Sequence, residues 1–367
     1  MRGISWLIRL AILVTFVVSV GCASSPAAPL KPAESKPAES KAAEAKPAAQ
    51  SEAKPAEAPA AKGEPVHIRI AVQPGTQVWP IQVIEKLGLD KKYNFILDKK
   101  EYASPTAKVT AFKTGEVDIA PNSWLPTVQA RVQGTKMFTV FSMYGVTNDV
   151  LVRKDSPYQT LRDLKGKKIG NFGGPSAVTA AILRIGAIKD YGFDPWKDAK
   201  IQEGAAPLLA SLLEKGELDA ALLQDPQVTM MLASGKFRSI ARLDELYQKA
   251  TGDRITVLGI AAMEPFAKEH PAVVTNFIRA YIEAVKYMRT NDQIWQDFAK
   301  ELKIDTPEGV KLLMDRTRNG FFTEWDDKMV AAHKRFAKAA IDIIGPDFLP
   351  SVPDDAFTTE YVPRDMQ

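Results

Sequence analysis

Hydrophobic and polar residues alternate along the chain first at the spacing of a strand and then at that of a helix. Residues 67–72 alternate as His-Ile-Arg-Ile-Ala-Val and stop at Pro74-Gly75, which predicts a strand and a turn. A helical pattern over residues 81–87, a second strand over 93–102 and a helix over 106–114 follow. This order predicts an α/β fold, with a mostly parallel sheet covered by helices.

Two stretches of the pattern occur twice. Residues 111–120 recur 101 positions later as residues 212–221, and both contain an apolar helix end, Gly, Glu, an aliphatic residue and Asp. Residues 74–76 correspond more loosely to 168–176, where a strand again precedes a Gly- and Pro-rich turn. Two matches in the same order predict two similar α/β lobes, each with a mixed sheet flanked by helices.

The lobes are expected to be joined by two extended crossings, over residues 137–152 and 255–262, which together would form a hinge. Residues 272–288 place apolar side chains on one helical face and are expected to pack in the core. The helical residues 293–345 are expected to wrap the first lobe.

The amino terminus has the pattern of an export signal. Arg2 and Arg9 precede an apolar run of 11 residues from Leu10 to Val20, and a bilayer-spanning helix requires about 20. The run ends in Ser-Val-Gly-Cys22, which resembles the lipobox of bacterial lipoproteins, so Cys22 is the expected lipidation site. The alternative is a plain secretory peptide with an incidental Cys.

Residues 23–65 consist largely of Ala, Pro, Lys, Glu and Ser, and the pentapeptide at residues 31–35 is repeated at 36–40. Such a composition buries too little apolar surface to offset the entropy of ordering. We interpret the segment as a disordered tether that holds a folded domain away from a membrane surface.

Composition excludes several classes of function. The chain has one Cys and three His, so a disulfide framework, a Cys-ligated metal and a Cys nucleophile in the folded part are not expected. A net charge of +4 over 367 residues indicates no nucleic-acid partner. The sequence lacks the Gly-x-Ser-x-Gly, His-Glu-x-x-His and phosphate-loop patterns. We therefore expect neither an enzyme nor a bound metal or cofactor.

Several segments carry a family resemblance. Residues 151–157 followed by 161–170 resemble the entry into the second lobe of extracytoplasmic solute-binding proteins of ABC importers. The particular group is the one that serves nitrate, aliphatic sulfonates, taurine and the thiamine pyrimidine precursor. Residues 115–118, 269–271 and 280–284 are also typical of it. The resemblance implies the two-lobed type II periplasmic-binding-protein fold.

The same resemblance implies a monomer that captures a small polar solute between its lobes and delivers it to a membrane permease and its ATPase. The protein would be extracytoplasmic and held at the membrane by its lipid. The domains would be the signal peptide 1–22, the tether 23–65, lobe one 66–147 with 254–367, and lobe two 148–253.

In open α/β sheets, ligands bind beyond the carboxyl ends of the strands. The loops selected by this rule contain the candidate ligand-binding residues Gln77, Trp79, Asn122, Ser123, Trp124, Tyr144, Thr147, Asn148, Phe172, Gly174, Ser176, Ala177, Gln224 and Asp225.

Two kinds of chemistry are expected in these loops. The turn over residues 173–177 precedes an apolar helix, and free backbone N–H groups there favour a carboxylate, sulfonate or nitrate. Trp79, Trp124, Tyr144 and Phe172 are candidate aromatic walls for a planar ligand or a quaternary ammonium.

The first expectation is a small anion such as an aliphatic sulfonate, nitrate or taurine. The alternative is an aromatic or pyrimidine-like solute or a betaine. Residues 118–126, which include Trp124, are more like the corresponding stretch of betaine-binding proteins than that of sulfonate-binding ones. A ligand-sensing lipoprotein without a transporter uses the same cleft and is the alternative from another class of function.

Overall fold

The computed structural model describes residues 63–366. The predicted export signal, with Cys22, and nearly all of the predicted tether lie outside these residues. No helix in the described part of the chain is both long enough and apolar enough to cross a lipid bilayer.

Ten strands are present between residues 63 and 366. They are β1 Val66–Val72, β2 Phe95–Glu101, β3 Ile119–Ser123, β4 Met137–Gly145, β5 Asn148–Arg153, β6 Lys168–Asn171, β7 Lys200–Glu203, β8 Ala220–Gln224, β9 Phe237–Arg242 and β10 Thr256–Met263.

The described α-helices follow each other in the order α1 Trp79–Lys86, α2 Leu89–Lys92, α3 Pro105–Lys113, α4 Trp124–Val132, α5 Val178–Tyr191, α6 Pro195–Asp198, α7 Ala206–Glu214, α8 Gln227–Ala233, α9 Leu243–Thr251, α10 Glu264–Glu269, α11 Pro271–Thr290, α12 Asp292–Glu301, α13 Pro307–Thr317 and α14 Asp327–Ile344.

The strands form two five-stranded sheets with equivalent topology. The first has the order β2-β1-β3-β10-β4 and the second β7-β6-β8-β5-β9. In each sheet the first three strands are parallel to one another, and the fourth strand pairs antiparallel with both the third and the fifth. We call these sheets and the helices between their strands lobe one and lobe two. The duplication and the α/β class predicted from the sequence are confirmed.

The chain crosses between the sheets twice. Only Val146 and Thr147 separate β4 from β5, and the return runs from the end of α9 into β10. β10 and β5 occupy the same fourth position in their sheets. Each sheet thus contains one strand that enters directly from a crossing, as the extended pattern predicted.

The repeated Gly-Glu-aliphatic-Asp segment has a structural role in both lobes. Gly115 and Gly216 follow α3 and α7 with φ angles of 71° and 75°, in the left-handed region that favours glycine. The N–H groups of Glu116 and Glu217 then bond back to carbonyls in the preceding helix, both at 2.9 Å. This closes each helix and directs the chain into the next strand.

The Asp of each repeat ties that strand to its neighbour. The carboxylate of Asp118 accepts a hydrogen bond from the N–H of Arg69 in β1, and that of Asp219 accepts one from the N–H of Lys168 in β6, both at 2.9 Å. The repeat therefore stabilises the same junction between helix and strand in both lobes.

The last helices differ from the expectation that residues 293–345 wrap the first lobe. α13 packs against α8 and α14 against α5, both helices of lobe two. The ring of Phe336 in α14 lies 5.2 Å from that of Tyr247 in α9 and 5.9 Å from that of Trp124 in α4. An apolar face that is wide enough to contact both lobes places α14 across their junction.

Candidate ligand-binding site

A cavity lies where the carboxyl ends of the parallel strands of both sheets converge. We call it the cleft cavity, and its lining consists of Gln73, Gln77, Pro105, Lys108, Ser123, Phe172, Gly173, Ala177, Thr179, Gln224, Val257 and Leu258. Lobe one, lobe two and the returning strand β10 all contribute. This is the place that the strand-end rule selects.

The two lobes are close together around this cavity. A methyl group built on Gly75 of lobe one would lie 4.0 Å from Cδ of Pro226 in lobe two. The cavity volume is about 30 Å³, and an enclosed water molecule requires roughly 10–15 Å³. The arrangement has room for a few water-sized groups, so any larger solute requires the lobes to move apart.

Lys108 is the one charged residue in the lining. Ser104 caps α3 by accepting the N–H of Ala107 at 3.2 Å, and Pro105 begins the helix, which places Lys108 one turn inside it. The side chain is buried, with the residue 1% exposed. Its Nζ donates to Oε1 of Gln77 and to the carbonyl oxygen of Pro121, both at 2.6 Å.

Both acceptors of the Lys108 ammonium are neutral. Burial lowers the pKa of Lys108 from its usual 10.5 to about 7, because no neighbouring charge offsets the loss of water. An ammonium has three N–H donors, and these two bonds use two of them. One N–H group of the ammonium is therefore left for an anion in the cavity.

Two of the buried side-chain atoms of lobe one that have no partner belong to the cavity lining. They are Oε1 of Gln73, in the turn after β1, and Oγ of Ser123, at the end of β3. Buried polar atoms are normally hydrogen-bonded, so a buried atom without a partner requires an explanation, and a bound water or ion is one. Both atoms belong to residues of the cavity wall.

Lobe two contributes the start of α5. Ala177 is its N-cap and no side chain among the described residues caps the helix, so its first N–H groups are left to other acceptors. Thr179, in the first turn, is 3% exposed and lines the cavity. A helix N-terminus and a buried ammonium therefore belong to opposite walls of one small space, and both favour negative charge.

A larger groove lies on the flank of the lobe junction. Its volume is about 570 Å³, and it is lined by residues that include Gln129, Ser176, Arg184, Lys197 and Phe348. Its buried cation is already neutralised, because Arg184 donates to the carboxylate of Asp194 at 2.9 and 2.6 Å. The groove is also away from the strand ends, and the cleft cavity is the stronger candidate despite its smaller volume.

Comparison with known proteins agrees with this architecture. A family model described as NMT1/THI5 like matches residues 77–293. The chain belongs to the NMT1/THI5 like family.

Relatives of known name were also found. The chain is 24% identical over 239 residues to the taurine-binding periplasmic protein of Escherichia coli (strain K12), covering 64% of this chain and 71% of that protein. The crystal structure of the periplasmic aliphatic sulphonate binding protein from Escherichia coli aligns with a TM-score of 0.64 at 18% identity, covering 79% of this chain and 96% of that one.

The alkanesulfonate-binding protein from Xanthomonas axonopodis pv. citri, bound to MOPS, aligns with a TM-score of 0.66 at 16% identity over 82% of this chain and 99% of that one. At these identities the structural likeness shows the fold. The resemblance stated from residues 151–170 and the two-lobed fold are confirmed.

Five of the candidate residues lie in the lining of the cleft cavity. They are Gln77, Ser123, Phe172, Ala177 and Gln224. The structure brings these together as expected from their positions after strands, although their contact with a ligand stays a prediction.

Trp124 does not form a wall of the cleft. The residue is 0% exposed, its indole Nε1 donates to the carbonyl oxygen of Thr256 at 2.7 Å, and its ring lies 5.1 Å from that of His333. The expectation of a cleft-facing indole was wrong, because α4 begins directly after β3 and turns its first side chain into the apolar face of α14.

Two of the other expected aromatic walls are also core residues. Trp79 stacks on Phe298 with ring centroids 4.5 Å apart and an interplanar angle of 9°. Tyr144 is 4% exposed and packs against Phe321 at 4.6 Å, and burial raises the pKa of its hydroxyl. Phe172 is the one expected aromatic wall that lines the cleft cavity.

Two of the candidate polar residues have a hydrogen-bond partner inside the protein, and a third, Asn148, is buried with no partner for its Nδ2. Nδ2 of Asn122 donates to the hydroxyl of Thr127 at 3.0 Å, and the hydroxyl of Thr147 donates to that of Tyr144 at 3.2 Å. Asn148 is buried at the start of β5, opposite Gln224 of β8. None of the candidates Asn122, Thr147 and Asn148 lines the cleft cavity.

The carboxylate of Asp225 forms an ion pair with an arginine. Arg316, in α13, donates through Nε to Oδ2 of Asp225 at 3.0 Å and through Nη2 to Oδ1 of Asp149 at 2.7 Å. Both carboxylates are buried. Burial raises the pKa of Asp225, and the Arg316 charge and bonds from Thr229 oppose that rise. Asp225 therefore joins lobe two to α13 and is not free to pair with a ligand amine.

Gly174 and Ser176 lie in the turn before α5 but not in the cavity lining. Glu203 accepts two bonds from Nδ2 of Asn171, at 2.9 and 2.8 Å, and one from the N–H of Gly174. Burial is the larger effect and raises the pKa of Glu203. One of the turn's N–H groups thus serves an internal carboxylate, and Ser176 lines the flank groove.

Seven lining residues were not among the candidates, and three of these are polar or charged, namely Gln73, Lys108 and Thr179. A signal for Lys108 was available. It shares the buried face of α3 with Ala111 and Phe112, at the spacing i, i+3 and i+4. A lysine at an apolar position of a helix is costly to bury and so indicates a special role.

Proposed function

We propose that this protein is the solute-binding component of an ABC importer and that it captures a small anion in the cleft cavity. The proposal rests on the buried ammonium of Lys108. This ammonium lines the cavity, and the two groups that accept its hydrogen bonds are both neutral. Its relatives named for taurine and sulfonates support the same class of ligand.

A bound anion would offset the cost of burying Lys108. Removing an ammonium from water is unfavourable unless an opposite charge or strong hydrogen bonds replace the solvent. A sulfonate, nitrate or carboxylate oxygen supplies both, since charge-assisted hydrogen bonds are stronger than neutral ones. The uncapped N-terminus of α5 offers further donors from the opposite lobe.

This placement gives a mechanism for capture. An anion held by Lys108 of lobe one attracts the start of α5 in lobe two, so binding favours the closed arrangement. The chain crossings at residues 146–147 and 252–255 serve as the hinge between lobe one and lobe two. The closed form would then dock on a membrane permease that is driven by its ATPase.

The location follows from the amino terminus. We propose that Cys22 is acylated and that residues 23–65 tether the folded part outside the cytoplasmic membrane, where it acts as a monomer. In a Cys22→Ser variant the protein should leave the membrane fraction of the expressing cells. Retention of the variant in that fraction would contradict the lipid anchor and would leave the binding proposal intact.

The test of the binding proposal is calorimetry with methanesulfonate, ethanesulfonate and nitrate on the wild-type protein and on Lys108→Met. At least one anion should bind the wild type, and the variant should bind it at least about a hundredfold more weakly, as expected for a lost buried charge pair. The matched control is Lys113→Met, because Lys113 is exposed on the same helix and contacts Gln133. If both variants bind anions like the wild type, the proposal is wrong.

A further inference from the structure

The lining of the cleft cavity has an uneven set of charges. Of its twelve described residues, one, Lys108, is charged. Five others are polar and neutral, namely Gln73, Gln77, Ser123, Thr179 and Gln224. The lining residues include no Asp or Glu. A ligand with a positive group would therefore meet no opposite charge in this wall.

The nearby carboxylates already have hydrogen-bond or ion-pair partners within the protein. Glu203 accepts bonds from Asn171 and Gly174, outside the lining. Asp225 follows the lining residue Gln224 in sequence, but its carboxylate is paired with Arg316. Recruiting either group to a ligand ammonium would break bonds that are already made.

Aromatic rings do not replace the missing carboxylate. A cage for an ammonium requires ring faces within about 6 Å of the charge on several sides. Phe172 is the one aromatic residue of the lining. Trp124 is enclosed between α4 and α14, as its contacts with Thr256 and His333 show.

The lining nevertheless offers an acceptor. Oε1 of Gln73 is buried without a partner, and it is an amide oxygen, which accepts and cannot donate. Oγ of Ser123 is also unpartnered and can accept or donate. A ligand hydroxyl would satisfy either atom without bringing a charge into the cavity.

We infer that the cleft selects a small organic monoanion whose second polar group is a neutral hydroxyl, and that it discriminates against a zwitterion of the same size. This inference rests on the proposed function, since it takes the anionic group to be held by Lys108. The cost of an unpaired buried ammonium is what separates the two ligands.

Three ligands that differ in one group test the inference. Ethanesulfonate, 2-hydroxyethanesulfonate and 2-aminoethanesulfonate (taurine) carry the same anion with a hydrogen, a hydroxyl or an ammonium at the second carbon. By calorimetry we expect the hydroxyl compound to bind at least as tightly as ethanesulfonate, and the ammonium compound at least about tenfold more weakly than ethanesulfonate. Propionate, 3-hydroxypropionate and β-alanine should follow the same order if the protein takes carboxylates.

A charge placed in the wall should reverse the order. Gln73→Glu adds a carboxylate of nearly the same shape at the unpartnered atom, so its ratio of taurine to ethanesulfonate affinity should rise at least about tenfold over the wild type. The matched control is Gln133→Glu, at the C-cap of α4, where Oε1 of Gln133 accepts from Nζ of Lys113. This control should leave the ratio unchanged.

The outcomes separate the two proposals. If none of the six compounds binds, and methanesulfonate and nitrate do not bind either, the proposed function fails and the inference with it. If methanesulfonate or nitrate binds through Lys108 but none of the six does, the proposed function stands and the inference is overturned. If the sulfonates bind through Lys108 but taurine equals or exceeds ethanesulfonate, the proposed function stands and the inference is overturned. Should Gln73→Glu not fold, the wild-type series alone decides.

Discussion

Nζ of Lys108 lies 2.6 Å from Oε1 of Gln77, and the two side chains line the same cavity. Lys108 comes from the helix after β2, and Gln77 from the turn after β1, so adjacent parallel strands deliver both. The amide orients the ammonium without neutralising it. Its charge remains available to a solute, and this has consequences for binding and for stability.

Anion affinity should depend on pH through Lys108. Burial lowers its pKa to about 7, and a bound anion raises that pKa because it favours the ammonium. Binding therefore takes up a proton above pH 7, and the affinity should fall by up to about tenfold per pH unit as the pH rises from about 7. The measurement is the Kd of a sulfonate, which stays ionised throughout, between pH 6 and 9.

The control for this titration is Lys113→Met, which should keep the slope. A Kd that is constant from pH 6 to 9 for the wild type would mean that Lys108 does not titrate in this range or does not hold the anion. Calorimetry in two buffers of different ionisation enthalpy measures the proton uptake directly and should give a value between zero and one near pH 8.

The ligand-free protein should show the opposite dependence in its stability. Between pH 7 and 10.5 the unfolded state holds the Lys108 proton and the folded state does not, so unfolding takes up protons and the free energy of unfolding rises with pH. Relative to Lys108→Met, the wild type should gain a few kcal/mol across this range, at about 1.4 kcal/mol per unit shift. Urea denaturation at pH 7, 8.5 and 10 measures the difference, and parallel curves would contradict it.

The sequence was sufficient to predict the scaffold because the signals for it are local. Gly115 and Gly216 each end a helix, and the Asp two residues after the following Glu bonds to the neighbouring strand. A motif whose contacts are set within one helix and one strand can be recognised wherever it recurs. Its spacing of 101 residues then indicated two lobes with the same topology.

The candidate site was predicted less well because it depends on distant packing. Whether Trp124 faces the cleft or the core is decided by α14, which begins about 200 residues later. The partner of Asp225 is Arg316, in a helix that the pattern assigned to lobe one. Loops could therefore be located from strand ends, whereas the direction of each side chain could not.

Arg316 should be essential to the stability of the folded part. It is the cation between the buried carboxylates of Asp149 and Asp225, and Arg316→Met leaves both without it. Breaking a buried pair on one side costs about 3–5 kcal/mol, so the free energy of unfolding should fall by that order in urea denaturation.

A second substitution distinguishes charge from packing. Adding Asp225→Asn to Arg316→Met removes one of the uncompensated charges and keeps a side chain that can accept the bond from Thr229. The double variant should recover part of the lost stability. If it is as unstable as the single variant, the loss comes from the packing of the Arg316 side chain.

His333 should make the protein sensitive to acid. Its Nδ1 donates to the carbonyl oxygen of Met329 at 2.8 Å, so the neutral ring accepts at Nε2 from the hydroxyl of Thr256 at 2.9 Å. Burial lowers the pKa of His333 from 6.5 to about 4. The unfolded state therefore binds more protons between these values, and the free energy of unfolding falls as the pH drops from 6.5 towards 4.

The contribution of His333 at pH 4 should be a loss of about 3 kcal/mol, from a shift of some 2.5 pKa units. His333→Gln keeps a donor and an acceptor but does not titrate, so its stability should fall less steeply over this range. If the stability of His333→Gln falls with pH as steeply as that of the wild type, the acid-sensitive group lies elsewhere in the fold.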